Sequence, residues 1–260
     1  HVTGVQTCAL PIWESDLHKT LQELRITGGE PLMSGETWRL LDWFKENRGK
    51  SKTRLAINSN LGEQVDIDRL LASVEGLEVD IYSSMESTRL QAEYIRDGLN
   101  YNQWLRNVQK ILDSDDIRAL HCMCTINALC LDSLPDLLKS LEHLKVLYGR
   151  DRVSFTLNIL RFPSFQSATV LPDHVRLEYR RRLSDFYKSY KDSDLLHQFE
   201  LNQLQRLIDY LDVVITPHAG AMEQSILQRD FRNFYAQYDQ RRGKNFTQTF
   251  PALAEWYHTL

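Results

Sequence analysis

No apolar run in this chain approaches the roughly 18 residues that a membrane-spanning helix needs, so no membrane partner is expected. Cysteine is scarce, four in 260 residues. That is too few for a disulfide scaffold, and no secretory signal is recognisable, so the expected compartment is the reducing cytoplasm. Charge of one sign is missing as well. There are 31 basic and 35 acidic residues, a net of −4, which leaves no global electrostatic reason to expect nucleic acid as a partner. Internal repeats and low-complexity linkers are absent. What remains is ordinary globular usage, 42% hydrophobic and 25% charged, which excludes a disordered or collagen-like chain. The length suits one large α/β domain, or a domain with an appendage.

An initiator methionine is also lacking, position 1 being His. Residues 2–12, Val-Thr-Gly-Val-Gln-Thr-Cys-Ala-Leu-Pro-Ile, back-translate into a widely used sequencing-adapter oligonucleotide. Residues 1–12 are therefore set aside from the fold reasoning as an artefact, Cys8 with them. The expectation that follows is a native chain that began further upstream and has lost its N-terminal part. Its first remaining strand would then be an unpaired sheet edge, and the isolated chain poorly soluble.

From Glu23 onward strand-like and helix-like patterns alternate. Strands are predicted at Leu24–Thr27, Arg54–Asn58, Leu77–Tyr82, Leu120–Ile126 and Val153–Leu160. Helices are predicted at Thr37–Asn47, at Asp66–Val74 with Asp66 as N-cap, at Gln91–Leu112 with a break at Gly98, and at Leu134–Leu147 with Pro135 in its first turn. This alternation predicts parallel βαβ units. After Pro163 the pattern turns helical: Val175–Tyr190, Gln198–Tyr210, Met222–Tyr238 and a last short helix. Val213–Thr216 is compatible with one more strand, and Arg241–Asn245 reads as a solvated basic turn. The expected division is 13–165 for the α/β part and 166–260 for a helical C-terminal extension packed on it.

In parallel α/β arrays ligands bind at the carboxyl ends of the strands. Those ends are polar here: Gly28-Gly29-Glu30-Pro31, Asn58-Ser59-Asn60, Ser83-Ser84-Met85-Glu86, Thr125-Ile126-Asn127, and Asn158 followed by Arg161. The glycines let a ligand approach the backbone, and Glu30 can meet an ammonium. Such a rim suits a polar, zwitterionic small molecule.

Gly28-Gly29-Glu30-Pro31 after a short strand resembles the GGEP motif of radical S-adenosylmethionine (radical SAM) enzymes. Ser84-Met85-Glu86, with Arg96 twelve residues after Ser84 in Glu93-Tyr94-Ile95-Arg96-Asp97-Gly98, resembles the Ser/Arg signature of their fourth strand. Asn60 is similar to the Asn of their third-strand Thr-Asn-Gly. Asn158–Pro163 and Gln237–Phe246 resemble the twitch-domain subgroup. The resemblance spans about residues 20–260. It implies a partial (β/α)6 TIM-like barrel lacking its first strand, and an enzyme that cleaves S-adenosylmethionine reductively at a 4Fe-4S cluster. The product would be a 5′-deoxyadenosyl radical that abstracts hydrogen from a peptide or small-metabolite substrate. An electron donor such as flavodoxin or ferredoxin would supply the electron. It further implies that Gly28, Gly29 and Glu30, with Pro31, receive the methionine ammonium. Ser84 and Arg96 would bind its carboxylate, and Glu86 would lie near the ribose. Asn60, Asn127 and Asn158 would be further cofactor contacts.

The chain departs from the family in one respect. The cluster motif, Cys-x3-Cys-x2-Cys upstream of GGEP, is absent, so no metal ligand and no catalytic residue is assigned, and the chain as it stands is expected to be inactive. Cys122, Cys124 and Cys130 are spaced Cys-x-Cys-x5-Cys, and read as core residues rather than as cluster ligands from an irregular loop. His121, His197 and His218 show no metal spacing. Alone, Glu30 is also compatible with a helix N-terminal acid, and Arg96 with a surface partner of Glu93. A non-catalytic S-adenosylmethionine-binding barrel without a cluster stays open as the alternative.

Overall fold

Five strands frame the computed structural model, which describes residues 18–47, 49–51, 53–213 and 217–260. They are β1 (Glu23–Ile26), β2 (Arg54–Asn58), β3 (Val79–Ser84), β4 (Ile117–Ile126) and β5 (Val153–Ile159). All run parallel in one sheet in sequence order, β1-β2-β3-β4-β5. Helices separate them: α1 (Gly35–Glu46), α2 (Ile67–Val74), α3 (Arg89–Ile95), α4 (Tyr101–Leu112) and α5 (Leu134–Tyr148). Consecutive βα units give this unskipped order. β1 stands at an edge of the described sheet. After β5 come α6 (Asp173–Tyr190), α7 (Gln198–Leu211), α8 (Pro217–Arg242), α9 (Phe246–Thr249) and α10 (Pro251–Thr259). Among the described residues no helix is long and apolar enough to cross a membrane.

Local chemistry sets the boundaries. Asp66 caps α2, its Oδ1 accepting from the Arg69 N–H at 2.9 Å. The long helical pattern from Gln91 breaks where Gly98 takes φ 83°, a left-handed conformation that costs glycine little. The Glu93 carboxylate then accepts the Tyr101 N–H at 2.9 Å as α4 starts. Pro135 lies in the first turn of α5. One expectation is corrected: Arg241 and Arg242 are the last residues of α8, not a turn. Residues 214–216 of the possible extra strand lie outside the described residues.

The chain divides into two compact units. The first takes in the described part of 1–84, with 102–122 and 151–153; the second takes in 85–101, 123–150 and the described part of 154–260. In the first, strand alternation sorts the side chains. Leu55 and Ile57 of β2 and Val79 and Ile81 of β3 are almost fully buried, each contributing about 1.5–3 kcal/mol of hydrophobic stabilisation. Ser83 shares their face and accepts a hydrogen bond from the indole N–H of Trp104 on α4 at 3.0 Å, so α4 packs there. Register pairs Arg25 with Ala56, Ala56 with Asp80, and Asn58 with Tyr82, placing these side chains on the opposite face.

In the second unit a buried ion pair ties three elements. Lys145 of α5 and Glu200 of α7, both with 0% of the side chain exposed, approach to 3.0 Å. The Glu200 carboxylate also accepts the backbone N–H of Phe155 in β5 at 2.9 Å and of His197 at 2.8 Å. Removing one partner of such a pair strands a buried charge. Lys145→Met is therefore expected to cost about 3–5 kcal/mol in urea unfolding. A loss under about 1 kcal/mol, the range of exposed pairs, would show that the clasp is not what holds α7 to β5.

Candidate functional site

In the first unit the loop after β1 carries Gly28 and Gly29, both exposed. Gly28 has φ 152°, and a Cβ built on either glycine would meet nothing within 4 Å. The backbone there faces open space. Pro31 is buried and opens a short 3-10 turn, Pro31–Met33. Glu30 links two strand ends: Oε1 accepts the Leu32 N–H at 3.2 Å, and Oε2 accepts the Asn60 N–H at 2.7 Å. An ionised carboxylate offers about four acceptor positions, so two protein donors leave room for an ammonium. The Asn60 Oδ1 folds back to accept the Gly62 N–H at 2.8 Å, shaping the loop after β2. Ser84 ends β3 and is half-buried. Gly28, Gly29, Glu30, Pro31 and Asn60 thus form one corner.

In the second unit Glu86 and Arg96 meet each other. The Arg96 Nε donates to Glu86 Oε2 at 2.6 Å and Nη2 to Oε1 at 3.1 Å, a bidentate pair. Burial pushes the Glu86 carboxyl above its ordinary value, and Arg96 brings it only part of the way back. The C-terminal helices hold the segment bearing Arg96. Tyr94 donates its hydroxyl to Asp239 at 2.7 Å, and Tyr238 donates to the Tyr94 carbonyl at 2.8 Å. Asp97 pairs with Arg242 at 2.7 Å and with Lys244 at 3.1 Å. Burial first, and the Asp239 carboxylate second, push the Tyr94 phenol strongly up, so it stays a donor. The solvated basic turn expected at 241–245 is corrected: Arg242 and Lys244 grip Asp97.

Two other expected contacts fare differently. The Asn127 Oδ1 accepts the N–H groups of Leu129 and Cys130 at 2.9 and 3.2 Å, and its Nδ2 donates to the Thr125 carbonyl at 3.1 Å, so its polar atoms organise its own loop. Asn158 is exposed and lines a cleft of about 530 Å³ with Arg161, Arg206, Asp209 and Tyr210.

Cys122, Cys124 and Cys130 are all buried. Burial pushes the Cys130 thiol up, away from the thiolate that ligates metal. Among the described residues no three His, Cys, Asp or Glu side chains are grouped to hold a metal ion. These residues do not fit a 4Fe-4S cluster.

Sequence reasoning missed a cluster on the polar sheet face of the first unit. Asp80, 3% exposed, is ion-paired with Arg118, and His121 Nε2 stands 3.8 Å from its other oxygen. The His121 ring lies 4.4 Å from that of Tyr82, and the Arg25 guanidinium 4.0 Å from the Tyr82 centroid. Burial raises the Asp80 carboxyl, but His121 and Arg118 outweigh it and hold it below its ordinary value. The signal was there in polar residues at alternate strand positions; their partners came from neighbouring strands. No protein-family model, curated protein or solved structure matches this chain.

The Glu86–Arg96 pair yields a signed pH test. A carboxyl raised by burial is destabilising when ionised, and that penalty fades as pH falls through its folded pKa. Arg96→Met removes the partner that lowers it. Urea unfolding should show a loss of about 3–5 kcal/mol at pH 7.5 and a clearly smaller loss at pH 5. The same loss at both pH values would contradict the assignment.

Proposed function

We propose that this chain is a radical SAM-type protein with a partial (β/α)6 barrel that binds S-adenosylmethionine at its strand ends. The observation that carries the reading is the Gly28–Pro31 corner. At the carboxyl end of β1, two glycines leave the space beside the backbone open, and a carboxylate with spare acceptor capacity is fixed beside them by Asn60.

In this reading the backbone at Gly28 and Gly29, with Glu30, receives the methionine ammonium, and Pro31 fixes the turn. Asn60 shapes the neighbouring loop and holds Glu30 in place. Ser84 binds the methionine carboxylate; Arg96, which the resemblance assigns to the same carboxylate, belongs to the second unit, where Glu86 holds it. Glu86 fixes the Arg96 fork rather than meeting the ribose. Asn158, exposed at its strand end, stays a candidate contact, whereas Asn127 acts through its loop. S-adenosylmethionine supplies a sulfonium whose carbon–sulfur bond can be cleaved. The described residues offer no place for the cluster that would reduce it, so we assign this chain the cofactor-binding part of the activity. Radical formation, with its flavodoxin- or ferredoxin-type electron donor and its peptide or metabolite substrate, would need three thiolates that the described residues do not group.

The second reading, a cluster-free S-adenosylmethionine binder, is favoured by the burial of Cys122, Cys124 and Cys130. Both readings give this chain no cluster, and iron and sulfide analysis after anaerobic reconstitution checks that shared assignment. About four irons per chain, the content of one cluster, would overturn the cluster-free assignment.

Gly29→Val tests the corner directly. Among the described residues nothing lies within 4 Å of the added Cβ, so thermal unfolding should be unchanged. Isothermal titration should show saturable S-adenosylmethionine binding to the parent and about tenfold or weaker binding to the variant. No saturable binding by the parent, or equal binding by both, would refute the reading.

A further inference from the structure

A pocket of about 170 Å³ lies within the second unit, between the loop after β4 and α8. Its walls are four aromatic rings, Tyr94 of α3 and Phe234, Tyr235 and Tyr238 of α8, with Asn127 and Leu129 from the loop. Protein interiors leave few voids larger than a water molecule. This one is close to the roughly 150 Å³ at which an apolar cavity takes up benzene. The rings are held by their hydroxyls. Tyr94 donates to Asp239 and Tyr238 to the Tyr94 carbonyl, and Asp239 in turn accepts the Phe246 N–H at 2.8 Å. Tyr94 and Tyr235 are 2% and 6% exposed, whereas Phe234 is 39% exposed. The buried rings form the floor and Phe234 the mouth, so a guest can enter without unfolding its host.

Charge decides the kind of guest. Among the described residues no Lys, Arg, Asp or Glu lines the pocket, and burial pushes the Tyr94 and Tyr235 phenols up. The wall therefore stays neutral and offers an anion no counter-charge. The Lys244 ammonium already stands 5.8 Å from the Tyr94 centroid and 5.9 Å from that of Tyr238. It draws on the negative faces of these rings and repels a second cation. A neutral guest is left, and rings select an aromatic one by stacked and edge-on contact. Asn127 gives it direction. Its Nδ2 passes one hydrogen to the Thr125 carbonyl, and a carboxamide nitrogen has two.

We propose that this pocket binds a phenol: one neutral aromatic ring among Tyr94, Phe234, Tyr235 and Tyr238, its oxygen accepting the second Asn127 Nδ2 hydrogen. The volume admits a single ring with its substituent, so the phenol is either a free small molecule or a tyrosyl side chain entering past Phe234. The site lies wholly in the second unit. It does not use the Gly28–Pro31 corner and stands whether or not that corner holds S-adenosylmethionine.

The experiment is isothermal titration of the whole chain with p-cresol, 4-methylcyclohexanol, toluene, tetramethylammonium and N-acetyltyrosinamide. p-Cresol should bind saturably. 4-Methylcyclohexanol, which lacks the aromatic ring, and toluene, which lacks the oxygen, should each bind about threefold or more weakly, and tetramethylammonium not at all. N-acetyltyrosinamide binding more tightly than p-cresol would assign the site to a tyrosyl side chain, and binding more weakly to a free phenol. Phe234→Leu keeps an apolar side chain at the exposed mouth, so it should unfold at the parent temperature while weakening p-cresol about threefold or more. Ile95→Trp, which fills the pocket from a half-buried lining position, should abolish binding. Gly29→Val should leave it intact. No saturable p-cresol binding, equal binding of 4-methylcyclohexanol, or undiminished binding in both Phe234→Leu and Ile95→Trp would overturn the proposal. So would displacement of p-cresol by adenosine, because the pocket would then belong to a nucleoside.

Discussion

The period-two alternation of a parallel sheet constrains everything else in this molecule. Side chains on β2 and β3 point to opposite faces by turns, and parallel register keeps neighbours on the same face. Leu55, Ile57, Val79 and Ile81 are therefore committed to the core, and the residues between them must go the other way. Ala56, Asn58, Asp80 and Tyr82 have no place on the apolar side. A shift by one residue would carry Asp80 to the apolar face where Trp104 packs and Ile81 to the face that bears Tyr82. The gathering of charge around Tyr82 is thus the counterpart of the core, set by the same register.

A second constraint is that buried charge must be answered locally. Glu200 meets Lys145 and two backbone N–H groups, Glu86 meets both sides of the Arg96 fork, and Asp80 meets Arg118. In each case a carboxylate fixes the position of something else: a helix against a strand, a guanidinium, or one strand relative to the next. Glu30 does the same work with neutral donors, tying the loops after β1 and β2 together. Arg96 is a group already held by Glu86, and what it offers a ligand is its remaining donors.

The strands and helices were largely legible. Apolar spacing marked β2 and α1, Asp66 marked the start of α2, and Gly98 marked the break between α3 and α4, because each of these signals acts within a few residues. The polar strand ends were legible too, since a GGEP turn after a strand is a local pattern. Longer-range pairings were not. Glu86 and Arg96 each looked like a separate ligand contact, and only tertiary structure shows them facing each other. Asn127 looked available until its oxygen was seen capping its own loop. His121 offered no spacing to a partner because its neighbours, Tyr82 and Asp80, sit on another strand. Arg242 and Lys244 passed for a solvated turn because Asp97 is far away in sequence.

We propose that ligand chemistry in this chain occupies the carboxyl end of β1, where two glycines leave the backbone open. A crystal structure grown with S-adenosylmethionine tests this most directly. Density for the methionine group is expected against Gly28, Gly29 and the Glu30 carboxylate, with the Glu30–Asn60 hydrogen bond kept. Density elsewhere, with that corner occupied only by solvent, would contradict it.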